Sequence, residues 1–273
     1  MDSSPIGTNG AARHVSENRR YWDSMAAQWV GMGEQAWVQA EPTWGVWGVP
    51  NAHYPLLPQP YDAGALDGID AVELGCGTGY VSRWMERLGA RVVGIDNSAA
   101  QLATARRLAA RHGSAVAFVH GDAEAVAMPD GSFDLAISEY GAAIWCDPHV
   151  WVPEAHRLLR PGGRLVFLGN HPLVMCCAPL DGAVCDDRLH RPWFGMHELD
   201  WTAVAVDPGG IEFNLPTSGW LALFRDTGFE VEDHREVQAP DGDPDDDDEN
   251  RFFASRNWAR RWPSEQVWWL RKR

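Results

Sequence analysis

The chain has 273 residues, of which 45% are hydrophobic and 22% charged, so it can bury a full core as one large domain or one domain with a lid. Its formal charge of −15 argues against a nonspecific grip on nucleic-acid phosphates, which relies on clustered lysine and arginine. No stretch approaches the roughly 20 apolar residues of a membrane span, and the first residues lack the apolar centre of a signal peptide. We therefore expect a cytoplasmic protein that binds neither membranes nor nucleic acid.

The cysteines indicate no disulfide framework and no metal site. There are five, an odd number, and none forms a C-x-x-C pair. Cys176, Cys177 and Cys185, with His190 nearby, could be imagined around zinc, but adjacent cysteines make poor chelates. We expect reduced cysteines that behave as small hydrophobic residues.

The first part of the chain is rich in tryptophan. Residues 14–36 have the alternating polar and apolar patches of one or two helices, and the following "EPTWGVWGVP" is typical of a turn-rich loop. Five of the fifteen tryptophans fall here, at positions 22, 29, 37, 44 and 47. We expect residues 1–65 to form a helical lid that caps the substrate.

From Ala71 the pattern changes to short β-rich runs that alternate with helical ones. Strands that alternate with helices form parallel βαβ units, so this part predicts an α/β sheet. The helix that begins near Ser98 has a serine cap and a closing glycine at Gly113.

The turn after the first of these strands carries three glycines, at positions 75, 77 and 79. Glycines at a strand-to-helix turn expose backbone groups to a ligand that side chains would block. A dinucleotide fingerprint lacks its last glycine here, because Tyr80 follows Gly79 and Ser82 stands three residues after it. Asp96, at the end of the second strand, can accept two ribose hydroxyls.

Four motifs occur in order between Ala71 and Asn170: "VELGCGTG", "GIDNS", "HGDAEAVAMPDGSFDLAIS" and "LLRPGGRLVF". In these motifs the chain resembles the class I (Rossmann-like) S-adenosylmethionine-dependent methyltransferases, of the small-molecule type. The resemblance implies a doubly wound, mostly parallel seven-stranded sheet whose last strand is antiparallel. It also implies S-adenosylmethionine as the cofactor.

The resemblance assigns cofactor contacts residue by residue. Residues 75–79 would wrap the methionine part, Glu73 would hold that loop and the ammonium group, and Asp96 would bind the ribose. Asn97, Asp122 and Ala123 would contact the adenine, although Asp122 could instead cap a following helix. The full expected set is Glu73, Gly75, Cys76, Gly77, Gly79, Asp96, Asn97, Gln101, Asp122, Ala123 and Ser138.

Catalysis and acceptor binding are less well determined by the sequence. A general base is needed only if the acceptor must lose a proton, and Glu139 and His171 are the candidates, ahead of His53 and His197. Glu139 could instead hold the lid or a backbone amide, and His171 could simply pack. An aromatic box would favour a flat, apolar or cationic acceptor, the alternative being plain packing. Its expected residues are Trp22, Trp29, Trp44, Trp47, His53, Tyr140, Trp145, Trp193 and Phe194.

We expect a methyltransferase domain at 66–273, with an inserted roof at 171–217 after the fifth strand and an acidic loop at 240–250. That loop is predicted to be solvated rather than a calcium site. The predicted function is methyl transfer to a small molecule, such as an aromatic or indole-like metabolite. A homodimer is compatible with the sequence. A nicotinamide oxidoreductase and a noncatalytic cofactor-binding module are the rival classes.

Overall fold

The computed structural model describes residues 12–206, 208–241, 250–251 and 253–273. Most of the predicted acidic loop, residues 242–249, therefore lies outside the described residues, as does the start of the predicted lid, residues 1–11.

Helices and strands alternate along most of the chain. The helices are α1 (Arg13–Val38), α2 (Tyr80–Arg87), α3 (Ala99–His112), α4 (Ala142–Trp145), α5 (Pro148–Leu158), α6 (Pro172–Cys177), α7 (Thr217–Thr227) and α8 (Arg256–Ala259). The strands are β1 (Thr43–Trp44), β2 (Val49–Pro50), β3 (Asp70–Leu74), β4 (Arg91–Asp96), β5 (Ala117–His120), β6 (Phe133–Glu139), β7 (Leu159–Asn170), β8 (Glu198–Asp200), β9 (Ile211–Phe213), β10 (Phe229–Val237), β11 (Asn250–Arg251), β12 (Ala254–Ser255) and β13 (Glu265–Lys272).

Seven strands form one sheet in the order β10-β13-β7-β6-β3-β4-β5. The last strand, β13, is antiparallel to both of its neighbours, whereas β3 to β7 pair in parallel. The predicted fold class, a mostly parallel seven-stranded sheet with an antiparallel last strand, is confirmed. Because the parallel strands run the same way, their carboxyl ends meet at one edge.

Helices cover both faces of this sheet, as the pattern along β7 illustrates. Leu165 and Phe167 face a core that includes residues of α5 and α7, whereas Val166 and Leu168 face a core that includes residues of α2. Side chains of a strand alternate between its two sides, so a strand that is apolar at every position is buried on both. The sheet is therefore doubly wound.

Helix α3 ends where the sequence predicts. The Ser98 side chain accepts a hydrogen bond from the backbone N–H of Gln101, and Gly113 ends the helix in the left-handed conformation. The region 14–36, predicted as one or two helices, is a single helix, α1, of 26 residues. No helix in the described ranges is long and apolar enough to cross a membrane.

Helix α1 is fastened to the rest of the chain by polar contacts. The amide of Asn18 donates to the carbonyl oxygens of Trp145 (2.9 Å) and Ile211 (2.8 Å). The His14 ring lies 2.7 Å from a carboxylate oxygen of Glu124. These bonds join α1 to the turn after β5, to α4 after β6 and to β9 of the insertion, so α1 lies across the carboxyl edge of the sheet.

Candidate active site at the carboxyl edge of the sheet

The first glycine of the turn after β3 is required by close packing. Gly75 has a φ of +80°, and a Cβ placed on it would lie 2.5 Å from the Cα of Gly141. Gly141 follows β6, so the turns after two neighbouring strands touch through their backbones. A side chain at Gly75 would separate them.

The second glycine has a left-handed backbone conformation and lies beside open space. Gly77 has a φ of +50°, and a Cβ on it would meet nothing within 4 Å. Its N–H donates to Oδ2 of Asp96 (2.7 Å), while the N–H of Ser98 donates to Oδ1 (2.7 Å). Each carboxylate oxygen keeps a second lone pair for a ligand. Burial raises the pKa of Asp96, and these two N–H bonds oppose that shift.

A cavity of about 420 Å³ opens beside this turn. The sheet contributes residues that follow β3, β4, β5 and β6, and α1 and the insertion close it from the other side. Its lining includes Asn18, Trp22, Trp29, Glu73, Gly75, Cys76, Gly77, Thr78, Tyr80, Asp96, Asn97, Gln101, Asp122, Ala123, Glu139, Tyr140, Trp145, Met175, Ala178, Trp201, Glu212 and Phe253.

Residues on the side of the cavity near Asp96 carry polar atoms that have no hydrogen-bond partner in the described part of the chain. Oε1 of Gln101 and Oγ1 of Thr78 are buried and have no hydrogen-bond partner among the described residues. Buried polar atoms in native proteins are nearly always paired, so such atoms on a cavity wall indicate a missing ligand or water. Asp122 lies on the same side, where its Oδ1 accepts the N–H of Glu124 (2.9 Å). The residues that follow Asp122 form a turn and bends rather than a helix, so Asp122 caps no helix.

Asn97 also lines the cavity, but its side-chain amide is committed to α1. Its Oδ1 accepts from Nε of Arg19 (2.8 Å), and its Nδ2 donates to the carbonyl oxygen of Val15 (2.8 Å). Asn97 therefore fastens α1 over the end of β4.

Glu139 stands at the end of β6 on the opposite side of the cavity. One carboxylate oxygen accepts the N–H of Gly45 (3.0 Å), and the other accepts the hydroxyl of Tyr80 (2.5 Å). Burial raises the pKa of Glu139, and the two hydrogen bonds oppose that shift. A carboxyl group with a raised pKa is a better proton acceptor than an ordinary one.

Tyr140 follows Glu139 in a strained conformation. Its φ of +55° makes it the one non-glycine residue with a positive φ in the part of the chain that the structure describes. Its hydroxyl donates to Oε1 of Glu265 (2.8 Å), which also accepts the N–H of Val46 (2.9 Å). Burial raises the pKa of Glu265 to about 8. These contacts hold the turn after β6 against the β1–β2 hairpin.

Glu212 of β9 brings another carboxyl group to the cavity. The amide of Asn170 donates to its Oε2 (3.2 Å), and burial raises its pKa to about 7. The buried indole N–H of Trp201 approaches Glu212 without reaching hydrogen-bond geometry. We call the part of the cavity formed by Glu139, Tyr140, Met175, Ala178, Trp201, Glu212 and Phe253 the insertion side.

Comparisons with known proteins identify the family. A family described as a methyltransferase domain matches residues 72–167, from β3 to β7. A ubiquinone biosynthesis O-methyltransferase of Cereibacter sphaeroides (strain KD131) is 31% identical over 179 residues, which cover 59% of this chain and 70% of that protein. The chain belongs to the class I S-adenosylmethionine-dependent methyltransferases.

Other relatives agree with this family. An S-adenosylmethionine-dependent methyltransferase of Mesorhizobium loti has a similar solved structure, with a TM-score of 0.64 and 25% identity over 84% of this chain and all of that one. A malonyl-[acyl-carrier protein] O-methyltransferase of Enterobacter lignolyticus is 42% identical over 98 residues, 35% of this chain and 37% of that protein. Several curated relatives are matched over about half of their length or less.

The described residues fit the cofactor of this family. The open backbone at Gly77, the carboxylate of Asp96 and the unpaired oxygen of Gln101 all lie on one cavity. Of the expected cofactor residues, all but Gly79 and Ser138 line it. Gly79 is the N-cap of α2, and the Ser138 hydroxyl donates to the carbonyl oxygen of Leu74 inside the sheet.

Glu73 lines the cavity but holds the loop from behind. Its Oε2 accepts both the backbone N–H and the hydroxyl of Ser82, in the first turn of α2. Burial raises its pKa well above the ordinary value. That position agrees with a role in fixing the glycine turn, whereas contact with an ammonium group stays a prediction.

Only some residues of the expected aromatic box line the cavity. Trp22, Trp29, Tyr140 and Trp145 line the cavity, and the rings of Trp22 and Trp145 pack edge to face at 5.2 Å. The remaining expected residues do not line it. Trp44 and Trp47 are buried in the core, where their indole N–H groups donate to Asn51 and Ser264 respectively. The others are His53, Trp193 and Phe194, and the Phe194 side chain is 86% exposed.

His171 lies away from the cavity lining, at the N-cap of α6. Its Nδ1 accepts the N–H of Leu173 (3.1 Å), and its Nε2 lies 3.2 Å from a carboxylate oxygen of Glu236 without hydrogen-bond geometry. Burial, together with the charge of His234, lowers the pKa of His171 to about 4. A neutral, buried, helix-capping histidine has a structural task here, and its catalytic role stays a prediction.

Some cavity residues are not evident in the sequence. In the sequence, Tyr80 marks only the missing glycine of a dinucleotide fingerprint, whereas in the structure its hydroxyl donates a hydrogen bond to Glu139. Glu212, Trp201 and Phe253 come from the insertion or later, where no motif marks them. The sequence signal for Glu212 is its position between the apolar residues Ile211 and Phe213 in the insertion.

Proposed function

We propose that this protein transfers a methyl group from S-adenosylmethionine to a small-molecule acceptor. The observation that carries the proposal is a single cavity that joins Gly77 and Asp96 to Glu139 and Glu212. When bound, S-adenosylmethionine supplies a methyl group on a positively charged sulfur. The chain's own residues then have to hold the two molecules in line and keep water out.

Residues at the ends of the strands would hold the cofactor. The backbone of residues 75–77 offers a close approach, Asp96 offers two lone pairs for ribose hydroxyls, and Asp122 and Gln101 offer oxygen acceptors. These assignments are proposals supported by the position of the residues on one cavity.

The acceptor would lie on the insertion side. Glu139, whose pKa burial raises, would accept a proton from an acceptor that has to lose one, while its bonds to Gly45 and Tyr80 keep it in place. Helix α1, carrying Trp22 and Trp29, and the insertion at residues 171–217 would act as a lid and a roof that exclude water.

A small molecule suits this cavity better than a nucleic acid does. Within the described part of the chain, no lysine, arginine or histidine lines the cavity, although five carboxyl-bearing residues do: Glu73, Asp96, Asp122, Glu139 and Glu212. Phosphate groups are bound through cationic side chains, which this lining lacks. The O-methyltransferase names of two relatives describe those proteins, and the methylated atom here is left to the experiment.

The test is turnover with isotopically labelled S-adenosylmethionine and a library of small acceptors, read by mass spectrometry as a labelled methyl gain. At a limiting concentration of S-adenosylmethionine, we expect a labelled product with the wild type and a much lower yield with an Asp96→Ala variant whose thermal unfolding matches the wild type. Binding of a nicotinamide cofactor in place of S-adenosylhomocysteine would favour an oxidoreductase instead. Binding of S-adenosylhomocysteine with no methyl transfer to any acceptor would favour a noncatalytic module.

A further inference from the structure

Building on the proposed methyl transfer, we propose that the acceptor is a small arylalkylamine, bound as its alkylammonium ion on the side of the cavity that carries the carboxyl groups of Glu139 and Glu212. The proposal rests on the charge, shape and partners of the insertion side of the cavity.

Among the described residues, the charged side chains of the cavity lining are all acidic. Three of its five carboxyl groups, those of Glu73, Asp96 and Asp122, belong to the strand ends that face the cofactor side, which leaves Glu139 and Glu212 for the acceptor. Two buried carboxyl groups with no cationic side chain on the same wall stabilise a bound cation and repel an anion. An acceptor that carries a carboxylate or phosphate group would enter against this charge.

Glu139 and Glu212 are the carboxyl groups on the insertion side of the cavity. Burial raises the pKa of the neighbouring Tyr140 hydroxyl, and the charges of Glu265, Glu139 and Glu212 raise it further. Glu265 is fully buried and is held by Tyr140 and Val46, so Glu139 and Glu212 are the two carboxyl groups that reach the cavity.

Both cavity carboxyl groups keep bonding capacity. Within the described ranges, Glu212 accepts one hydrogen bond, from the amide of Asn170 to Oε2, and each oxygen of Glu139 accepts one hydrogen bond and keeps a second lone pair. An ammonium group has up to three donors, so it can bond to these free lone pairs.

The nearest cation is committed elsewhere. Arg191 contributes charge to Glu212, but its Nη1 donates to the carbonyl oxygens of Met175 and Ala178. Its guanidinium lies 4.8 Å from the ring centre of Trp201, and Arg191 does not line the cavity. Arg191 therefore supports the wall from behind and leaves room for a second cation inside.

The rest of the insertion side is flat and apolar. Tyr140, Trp201 and Phe253 contribute aromatic surface, and Met175 and Ala178 contribute aliphatic surface. Aromatic faces stack on flat ligands and attract cations. An aromatic ring with a short amine side chain matches both features of the wall.

The family match leaves the acceptor open. It covers residues 72–167, which include Glu139 and Tyr140 but not Trp201, Glu212 or Phe253. Most residues of this wall therefore lie outside the part of the chain that the family match covers.

The experiment compares three probes with one ring system and different charges. Tryptamine, tryptophol and indole-3-propionate present a cation, a neutral hydroxyl and an anion, and each is titrated at pH 8 into protein saturated with S-adenosylhomocysteine. Isothermal calorimetry measures Kd for wild type, Glu212→Gln, Glu139→Gln and the control Glu230→Gln, whose side chain is exposed on β10. The two isosteric glutamines keep the volume and remove the charge.

We expect tryptamine to bind the wild type and Glu230→Gln at least about tenfold more tightly than tryptophol, with indole-3-propionate weakest. Glu212→Gln should reduce this ratio severalfold while leaving tryptophol binding unchanged, and Glu139→Gln decides the matter if the first variant does not fold. Equal binding of tryptamine and tryptophol, or stronger binding of the anion, overturns the inference. If S-adenosylhomocysteine fails to bind, the proposed function fails, and the same titrations without it still decide the charge preference.

Discussion

The hydroxyl of Tyr80 donates a hydrogen bond to Oε2 of Glu139, so the residue after the glycine turn holds the carboxylate at the end of β6. The other oxygen of Glu139 accepts the N–H of Gly45 in the β1–β2 hairpin. Glu139 therefore joins the glycine turn after β3, the hairpin and the insertion side of the cavity.

Replacing Glu139 with glutamine should slow methyl transfer by roughly a hundredfold if it acts as a base, since general bases contribute about 10²- to 10⁴-fold. Glutamine still accepts the N–H of Gly45, so the affinity for S-adenosylhomocysteine should stay within about twofold. Single-turnover rates with a labelled cofactor measure the first effect and calorimetry the second. An unchanged rate would remove the base role, and Glu230→Gln is the matched control.

Replacing Gly75 with alanine should destabilise the fold more than replacing Gly113 does. Both residues have a positive φ, but a Cβ at Gly113 meets nothing within 4 Å, whereas one at Gly75 lies 2.5 Å from the Cα of Gly141. The Gly113→Ala cost should be about 1 kcal/mol, and the Gly75→Ala cost about 3 kcal/mol or more. Urea denaturation measures both. Equal losses would show that the turns after β3 and β6 do not need to touch.

Replacing Trp44 with alanine should cost about 3 to 5 kcal/mol of stability, because its side chain is fully buried and its indole N–H donates to Asn51. Phe194→Ala should change stability by less than about 0.5 kcal/mol, because Phe194 is 86% exposed. Chemical denaturation of the two variants checks the contrast. A stable Trp44→Ala protein that had lost acceptor binding alone would restore the sequence-based substrate role of Trp44.

Glu265 should make the protein less stable as the pH rises. Burial raises its pKa to about 8, so between about pH 4.5 and pH 8 the folded state holds a proton that the unfolded state has released. Stability from this group is full below the unfolded pKa and falls with a slope of up to about 1.4 kcal/mol per pH unit until the folded pKa is passed. Unfolding measured from pH 5 to pH 9 should show a shallower decline for Glu265→Gln than for Glu230→Gln. Identical slopes would contradict the shift.

Local patterns are sufficient to predict the sheet and the glycine turn after β3. Ser98 and Gly113 act through residues within one helical turn, so the sequence shows where α3 begins and ends. Each parallel strand ends on a polar residue or, in β3, directly before a glycine, and parallel pairing brings those ends to one edge.

The residues of the insertion side could be identified only from the three-dimensional structure. Glu139 and Glu212 line the same cavity because β9 packs against α4, the helix that follows β6, and nothing in the insertion sequence fixes that direction. Trp22 and Trp44 are alike as tryptophans in the same region, yet one lines the cavity and the other fills the core. Burial depends on contacts between distant segments, which residue type alone does not encode.

The binding of S-adenosylhomocysteine to wild type and to Asp96→Ala, measured by calorimetry, tests the central claim most directly. We predict tight binding by the wild type and a loss of about 2 to 4 kcal/mol in the variant, because the hydrogen bonds from the ribose hydroxyls would be lost. Asp226→Ala, at an exposed residue paired with Arg225, should bind as the wild type does. Unchanged affinity in a folded Asp96→Ala protein would contradict a cofactor site beside Gly77 and Asp96.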